Sequence, residues 1–333
     1  MKTSSVMIQS LCIPCYNHCR YCLLSWDGMV EGTAWDRSVR LAERLLNELR
    51  TELPEIKSQF SFGYSMEHPD LREAIRTLHR LGSPQARFIQ CDGMKMRSES
   101  ECDELMIMLL DEQIKELNFT VYGARDYHDG FAGRRGDYDL LIRMMKSAKQ
   151  FAIPFSIGIP VTQENINQID DLVAELSRLG SNKIFLFIPH EEGRGKSLGD
   201  VRLRKQDLSV LSEQSRRLLN DEIYRPEADW LKEPELQREN KRMILISLRP
   251  DNIEKYENRS AVDIVREIEA LDEKYYSSFH GFEELAKVYG NQDGDRMYRF
   301  RDLFQHYRLL FAMEHNVLAY DVTDERQSGS RRY

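Results

Sequence analysis

Hydrophobic and polar positions follow two different periods along the first two-thirds of the chain. Short apolar runs rich in β-branched and aromatic residues are typical of buried strands, and apolar residues three or four positions apart are typical of amphipathic helices. The short runs predict strands at 5–11, 59–63, 86–90, 117–122, 154–160 and 183–188. The helical spacing predicts helices at 35–53, 68–81, 100–112, 138–151 and 166–179. The alternation therefore predicts six βα repeats.

This order of elements predicts an α/β fold. Strands that alternate with helices form a parallel sheet covered by the helices, and right-handed crossovers curl the sheet toward a barrel. Six repeats are too few for a closed eightfold barrel, so we expect residues 1–200 to form a partial (βα)6 TIM-type barrel. In such barrels the active site lies at the carboxyl ends of the strands, so the loop after each strand is where chemistry is expected.

The last third of the chain is charged and dominated by helical spacing. Residues 201–322 are predicted to form a helix-rich C-terminal extension with helices at 261–271, 282–289 and 297–313. Two short apolar runs, 243–249 and 253–256, flank Pro250-Asp251-Asn252 and predict a hairpin. The aromatic residues of the last helix are expected to pack as core, and 323–333 is expected to be disordered.

Composition and charge narrow the class of protein. The chain of 333 residues is 41% hydrophobic and 31% charged, and it has no apolar run near the roughly 18 residues that a membrane span needs. Its formal net charge of −8 argues against broad nucleic-acid binding, which needs a basic face. The start of the chain shows no apolar leader, so we expect a cytoplasmic protein whose thiols are reduced.

Three cysteines, Cys15, Cys19 and Cys22, lie within eight residues of the loop after the first predicted strand. Three thiolates on a four-iron cluster leave one iron open, and an open iron can bind and reduce a small molecule directly. The same residues could also form half of a zinc site or part of a disulfide framework. The remaining cysteines form no second pair at ligand spacing, which favours the cluster; they are Cys12, Cys91 and Cys102.

The spacing Cys-x3-Cys-x2-Cys, with Tyr21 before the last cysteine, resembles the signature of the radical S-adenosylmethionine (radical SAM) superfamily. The resemblance implies an enzyme in which a [4Fe-4S] cluster on Cys15, Cys19 and Cys22 reductively cleaves S-adenosyl-L-methionine (SAM). The resulting 5′-deoxyadenosyl radical would abstract hydrogen from a substrate, with a flavodoxin or ferredoxin type protein as external reductant. The core is similar to the molybdenum-cofactor cyclase and peptide-modifying branches. Those branches imply a peptide or small-molecule substrate and epimerisation, rearrangement or cross-linking.

The resemblance extends to the strand ends that contact SAM in the superfamily. Phe62-Gly63-Tyr64-Ser65 stands where relatives read Gly-Gly-Glu-Pro, with the register fixed by His68-Pro69-Asp70-Leu71. Phe62 and Tyr64 therefore depart from the motif, and packing against the sheet is an equal alternative for both. The residues that the resemblance assigns to SAM are Tyr21, Gly63, Tyr64, Ser65, Thr120, Tyr122, Pro160, Asn165, Phe187 and Pro189.

Cys91 ends the third predicted strand, and strand alternation is expected to aim its thiol into the barrel mouth. We hypothesise that it donates hydrogen to a substrate radical; core packing is the alternative. No cysteine follows Cys102, so the C-terminal region cannot hold the auxiliary clusters that many peptide-modifying relatives carry. Two other functions stay open: a non-catalytic protein with a structural or sensing metal site at the three cysteines, and a cluster enzyme for another sulfonium or nucleotide.

Overall fold

The computed structural model describes residues 2–11, 15–22, 34–63, 66–191, 193–220, 222–232, 241–248, 252–290, 294–317 and 326–328. The strands are β1 Lys2–Leu11, β2 Lys57–Gly63, β3 Phe88–Gln90, β4 Glu116–Thr120, β5 Phe155–Pro160, β6 Lys183–Phe187, β7 Arg225–Pro226, β8 Lys241–Leu248, β9 Met297–Tyr298 and β10 Arg326–Ser328. The helices are α1 Trp35–Glu52, α2 Leu71–Arg80, α3 Glu99–Asp111, α4 Arg125–Ala132, α5 Asp137–Gln150, α6 Ile169–Arg178, α7 Glu213–Arg216, α8 Glu227–Trp230, α9 Ile253–Glu257, α10 Ala261–Tyr276, α11 Phe282–Tyr289 and α12 Phe300–His315.

The starts of two early helices follow from their capping residues. Asp70 caps α2 by accepting a hydrogen bond from the backbone N–H of Glu73. Ser98 caps α3, and Glu101 returns the bond to the Ser98 backbone in a capping box. These side chains satisfy amides that the first helical turn leaves without partners, which fixes where each helix begins.

Six parallel strands alternate with helices, as the sequence predicts. In one sheet β3, β4, β5 and β6 pair in chain order, and in the other β1 pairs with β2. All six strands contribute to one cavity of about 490 Å³, through residues such as Gln9, Phe62, Gln90, Asn118, Gly158 and Phe185. The strands therefore wrap around a common lumen, which confirms the predicted partial barrel.

The predicted hairpin at 243–256 is wrong. Residues 243–248 belong to β8, which pairs in parallel with β1, and Ile253–Glu257 forms helix α9. Ile244, Ile246 and Leu248 are fully buried against the barrel core. A two-stranded hairpin would leave much of this apolar surface in water, so the run joins the main sheet instead.

The C-terminal region therefore adds a seventh parallel strand beside β1. Helix α10 follows β8 and α9 and packs against α1, in the same core as β1 and β2. Residues 326–328, inside the tail that the sequence predicts to be disordered, form β10, which pairs antiparallel with β8.

The aromatic residues of α12 pack with α11 and Trp230, as expected for core; they include Phe300, Phe304 and Tyr307. Within the described ranges, no helix combines the length and apolar character that crossing a bilayer requires.

Candidate active site at the mouth of the barrel

The cysteine loop, residues 15–22, follows β1 and docks on the end of α4. His18 N–H donates to the carbonyl of Ala132 at 2.7 Å, and Arg20 N–H donates to that of Phe131 at 3.0 Å. These carbonyls belong to the last turn of α4 and have no partner within the helix. The helix end thus supplies acceptors that hold the loop in place.

The loop also contacts the ends of β3 and β6. Tyr16 N–H donates to the Gly93 carbonyl at 2.9 Å, and Arg194 N–H donates to the Cys22 carbonyl at 3.0 Å. Gly93 has a φ of +62°, and a Cβ built there would lie 2.3 Å from Cys15 Sγ. Glycine is therefore required both by the left-handed backbone and by the sulfur beside it.

A buried polar chain connects the cysteine loop to the end of β4. Asn17 donates to Asp137 Oδ2 at 2.9 Å, and His128 Nε2 lies 3.1 Å from the same oxygen. The Tyr122 backbone N–H donates to His128 Nδ1 at 3.0 Å, so Nδ1 is unprotonated and Nε2 carries the hydrogen that points to Asp137. His128 is a buried residue of α4 and contacts Asp137, which binds the cysteine loop through Asn17.

Arg134 belongs to the same polar network as Asn17 and Asp137. Its Nη1 lies 3.4 Å from Asn17 Oδ1 and 3.5 Å from Asp137 Oδ1, and it also donates to the Met94 carbonyl. Its guanidinium lies over the Tyr16 ring, 5.6 Å from the centroid. The ion pair thus fastens the loop on the side of Tyr16.

The three thiols of the loop are partly buried and form no disulfide. Burial raises the pKa of Cys15 and of Cys19 above the ordinary thiol range; at Cys19 a hydrogen bond with Tyr122 opposes the rise. Among the residues that the structure describes, no three Cys, His, Asp or Glu side chains lie close enough together to hold one metal ion.

The residues fit an iron–sulfur cluster in their chemistry. Each thiolate of a cluster binds a different iron, so three sulfurs on one loop are a suitable donor set. Because Gly93 has no side chain, Cys15 Sγ has room in its present position, where a Cβ would clash with it. Since ligating sulfurs must be deprotonated, cluster binding would release protons from Cys15 and Cys19.

One wall of the lumen, the strand wall, consists of polar side chains at the ends of β3 and β4: Gln90, Asp92, Asn118 and Thr120. Thr120 donates to Asp92 twice, from its backbone N–H at 2.9 Å and from its hydroxyl at 2.8 Å, and the Gln90 amide donates to the same carboxylate. Enclosure by protein raises the pKa of Asp92 to about 6, although these hydrogen bonds oppose the rise. The strand wall thus presents a carboxyl group that titrates near neutrality.

Another part of the lumen wall, here called the C-terminal wall, comprises His190, Tyr224 and Arg299. Arg299 donates to the buried Asp302 behind it through Nε at 2.8 Å and Nη2 at 3.0 Å, and His190 Nδ1 lies 3.0 Å from the same carboxylate. Burial alone would raise the pKa of Asp302, but the charges of His190 and Arg299 outweigh it and hold that pKa well below its ordinary range. Arg299 lies between β9 and α12, so the C-terminal region contributes to the wall of the barrel lumen.

The structure brings some of the predicted SAM residues together and not others. Tyr21, Thr120 and Phe187 line the lumen. Tyr122 does not line it: β4 ends at Thr120, strand alternation stops there, and the Tyr122 side chain turns toward Cys19. Thr120 and Tyr122, which the resemblance assigns to SAM together, therefore face different parts of the site: Thr120 the lumen and Tyr122 the cysteine loop.

Asn165 is buried and binds mainly backbone groups at the strand ends, with the Thr162 hydroxyl as a further donor to its Oδ1 at 3.4 Å. Its amide donates to the carbonyls of Tyr122 and Pro160, and its Oδ1 accepts from the Thr162 N–H. The carbonyl of Pro189 accepts from Arg202. These residues shape the rim of the barrel.

The segment after β2 is described only in part. Gly63 ends β2, while Tyr64 and Ser65 lie outside the described residues. Phe62 lines the lumen and also packs edge-on against Trp35, with ring centroids 5.9 Å apart. Phe62 therefore packs against a neighbouring aromatic ring and also faces the cavity.

The expected orientation of Cys91 is wrong. Its side chain is fully buried in the hydrophobic core, and its neighbours Gln90 and Asp92 line the lumen. A shift of one residue in strand register moves every side chain to the opposite face, and the expected register at this strand was off by one. The same alternation, read in the correct register, would have predicted that Asp92 lines the lumen. Arg299 lies far along the chain, and no local sequence pattern predicts that it reaches the lumen.

Comparisons with known proteins give matches in structure only. Neither a protein-family model nor a curated protein matches the chain. Three of the solved structures that resemble part of this chain are as follows. Streptococcus suis SuiB bound to precursor peptide SuiA has a TM-score of 0.47 at 13% identity, covering 74% of this chain and 49% of SuiB. Coproporphyrinogen III oxidase (HemN) from Escherichia coli, a radical SAM enzyme, has a TM-score of 0.44 at 12% identity, covering 74% of this chain and 63% of HemN. The anSMEcpe structure with bound AdoMet and Cp18Cys peptide has a TM-score of 0.40 at 15% identity, covering 62% of this chain and 57% of that one.

The chain thus spans about half the length of SuiB, at 49%. With all three TM-scores below 0.5, these similarities carry no conclusion about function. The function has to be argued from the cysteine loop and the lumen themselves.

Proposed function

We propose that the protein is a radical SAM enzyme. The observation that carries the proposal is the place of the Cys-x3-Cys-x2-Cys loop, which follows β1 and has its Tyr21 in the wall of the barrel lumen. A bound [4Fe-4S] cluster with an open iron would supply the electron that cleaves SAM to a 5′-deoxyadenosyl radical. A lumen of about 490 Å³ has the size of ordinary small-molecule sites.

The residues of this chain would divide the work around that centre. Cys15, Cys19 and Cys22 would hold the cluster, and the Asn17–Asp137–His128 chain would keep their loop in position. Tyr21, Thr120 and Phe187 would contact SAM in the lumen. His190, Tyr224 and Arg299 would face the substrate from the C-terminal wall.

The substrate in this proposal is a peptide or a small molecule. No cysteine follows Cys102, so an auxiliary cluster in the C-terminal region is not available as an electron acceptor. Redox-neutral outcomes such as rearrangement or epimerisation, or cross-linking with an external acceptor, agree best with one cluster. An external flavodoxin or ferredoxin in the cytoplasm would provide the electron.

The proposal is tested by reconstituting the protein with iron and sulfide without oxygen, adding dithionite and SAM, and assaying 5′-deoxyadenosine. The wild type should form it, and a variant with Cys15→Ala, Cys19→Ala and Cys22→Ala should not. Cys102→Ala, which removes a buried cysteine of α3, is the matched control and should keep the activity. One zinc per chain without iron after anaerobic purification would instead support the non-catalytic metal site.

A further inference from the structure

The hydroxyl of Tyr122 is aimed at one sulfur of the cysteine loop. Tyr122 Oη lies 3.0 Å from Cys19 Sγ, and the tyrosine is 1% exposed. Its ring stacks on His128 and on Phe131, with centroid distances of 4.8 Å to each and interplanar angles of 26° and 29°. The stacking prevents the ring from turning away from the sulfur.

The backbone of Tyr122 is fixed as well. Its N–H donates to His128 Nδ1 at 3.0 Å, and its carbonyl accepts from the Asn165 amide at 2.7 Å. His128 is in turn held by Asp137, which also binds Asn17 of the cysteine loop. The hydroxyl and the loop are therefore parts of one connected network, and their relative position is set before any cofactor binds.

The direction of this hydrogen bond follows from the chemistry of the ligand. In the structure either atom could be the donor. A cysteine that binds iron is a thiolate without a hydrogen, so the tyrosine O–H must then be the donor. Hydrogen bonds to ligating sulfurs offset negative charge on a cluster and so favour its reduced state.

We propose that Tyr122 tunes the cluster by donating a hydrogen bond to Cys19 Sγ, which raises the reduction potential and makes the first electron transfer easier. This inference rests on the proposed function, since it requires the cluster. It assigns Tyr122 a role as a positioning and tuning residue for the metal centre. The superfamily resemblance had assigned it to SAM.

The test is a redox titration of the reconstituted protein, followed by electron paramagnetic resonance (EPR) of the reduced cluster. Tyr122→Phe keeps the ring and removes the donor, so the reduction potential of the cluster should fall. At a fixed applied potential we expect roughly threefold to tenfold less reduced cluster, the size expected for the loss of part of one charged hydrogen bond. Tyr127→Phe is the matched control. It belongs to the same aromatic cluster, but its hydroxyl binds Glu164 at 3.0 Å and Thr162 at 3.4 Å, so the potential should stay unchanged.

A second variant keeps the test decisive if Tyr122→Phe loses its cluster. Incorporating 3-fluorotyrosine at position 122 makes the O–H a stronger donor and should raise the potential. An unchanged potential in either variant that assembles a cluster would overturn the inference. Failure of the wild type itself to assemble a cluster would overturn the proposed function, which separates the two results.

Discussion

Two aspartates near the same lumen, Asp92 in its wall and Asp302 behind Arg299, have opposite pKa shifts. Asp92 on the strand wall accepts hydrogen bonds from Thr120 and Gln90, and its pKa is raised to about 6. Asp302 behind the C-terminal wall is bound by Arg299 and His190, and its pKa is held well below the ordinary range. Protein encloses both carboxyls, Asp302 more fully than Asp92, and this enclosure raises the pKa of each, so the nature of the partners decides the direction of the net shift.

The difference shows what each wall can do. Neutral donors do not fully offset the loss of water, so Asp92 can accept or release a proton near neutral pH. Cations more than offset it, so Asp302 stays charged and serves to fix Arg299 and His190 in the wall. One wall is therefore suited to exchanging protons and the other to holding a fixed polar surface.

The largest effect is expected from removing the fixed carboxylate. Asp302→Ala leaves Arg299 and His190 without their shared partner, which should lower the free energy of unfolding by about 3–5 kcal/mol, the usual result of breaking a buried ion pair. Urea denaturation at neutral pH measures this. If Asp302→Ala lowered the free energy of unfolding no more than the loss of an exposed ion pair does, Asp302 would not be a fixed, charged partner of Arg299 and His190.

The pH dependence of that loss is the next effect. The pKa of Asp302 is lowered in the folded state, so its contribution is present above the unfolded carboxyl pKa of about 3.9 and is lost as the pH falls through the folded value. The difference in unfolding free energy between wild type and Asp302→Ala should therefore shrink below about pH 4. A difference that stays constant down to pH 2.5 would contradict the pairing.

Asp92 should show the opposite slope. Its folded pKa of about 6 lies above the unfolded value, so the folded state binds the extra proton and wild-type stability falls as the pH rises from about 4 to about 6. Asp92→Asn imitates the protonated carboxyl and should remove this decline. Denaturation curves of both proteins across that pH range measure it, and parallel curves would mean that the Asp92 pKa is not raised.

The smallest effect is expected at the surface. Glu213, the first residue of α7, forms an ion pair with Arg217, which follows the helix, but the two side chains are 80% and 76% exposed. Water screens such pairs, so Glu213→Ala should leave the unfolding curve without a measurable shift. A large shift here would mean that charge pairing alone, without burial, explains Asp302.

The sequence predicted the parts of the molecule whose signals are local. Strands β1 to β6 and most of the helices between them follow from periodicity, because each element repeats its pattern within a few residues. The loop with Cys15, Cys19 and Cys22 was found from spacing alone. Strand β8 was missed because its partner β1 lies at the other end of the chain, and no local pattern distinguishes a hairpin from long-range pairing.

The candidate site was predicted less completely for the same reason. Thr120 and Phe187, which the resemblance assigns to SAM, line the lumen, but Tyr122 lies just beyond the end of β4, where strand alternation no longer applies. Cys91 was misassigned by one residue of register. Arg299 and Tyr224 reach the lumen through the pairing of β7 with β9, a tertiary contact that the sequence pattern does not encode locally.

The most direct test of the account is the EPR spectrum of the reduced, reconstituted protein with and without SAM. Three cysteine ligands leave one iron open, so SAM should bind that iron and change the spectrum, and the triple alanine variant of Cys15, Cys19 and Cys22 should show no cluster signal. A reduced cluster whose spectrum is identical with and without SAM would contradict the claim that this loop and lumen form a SAM-binding site.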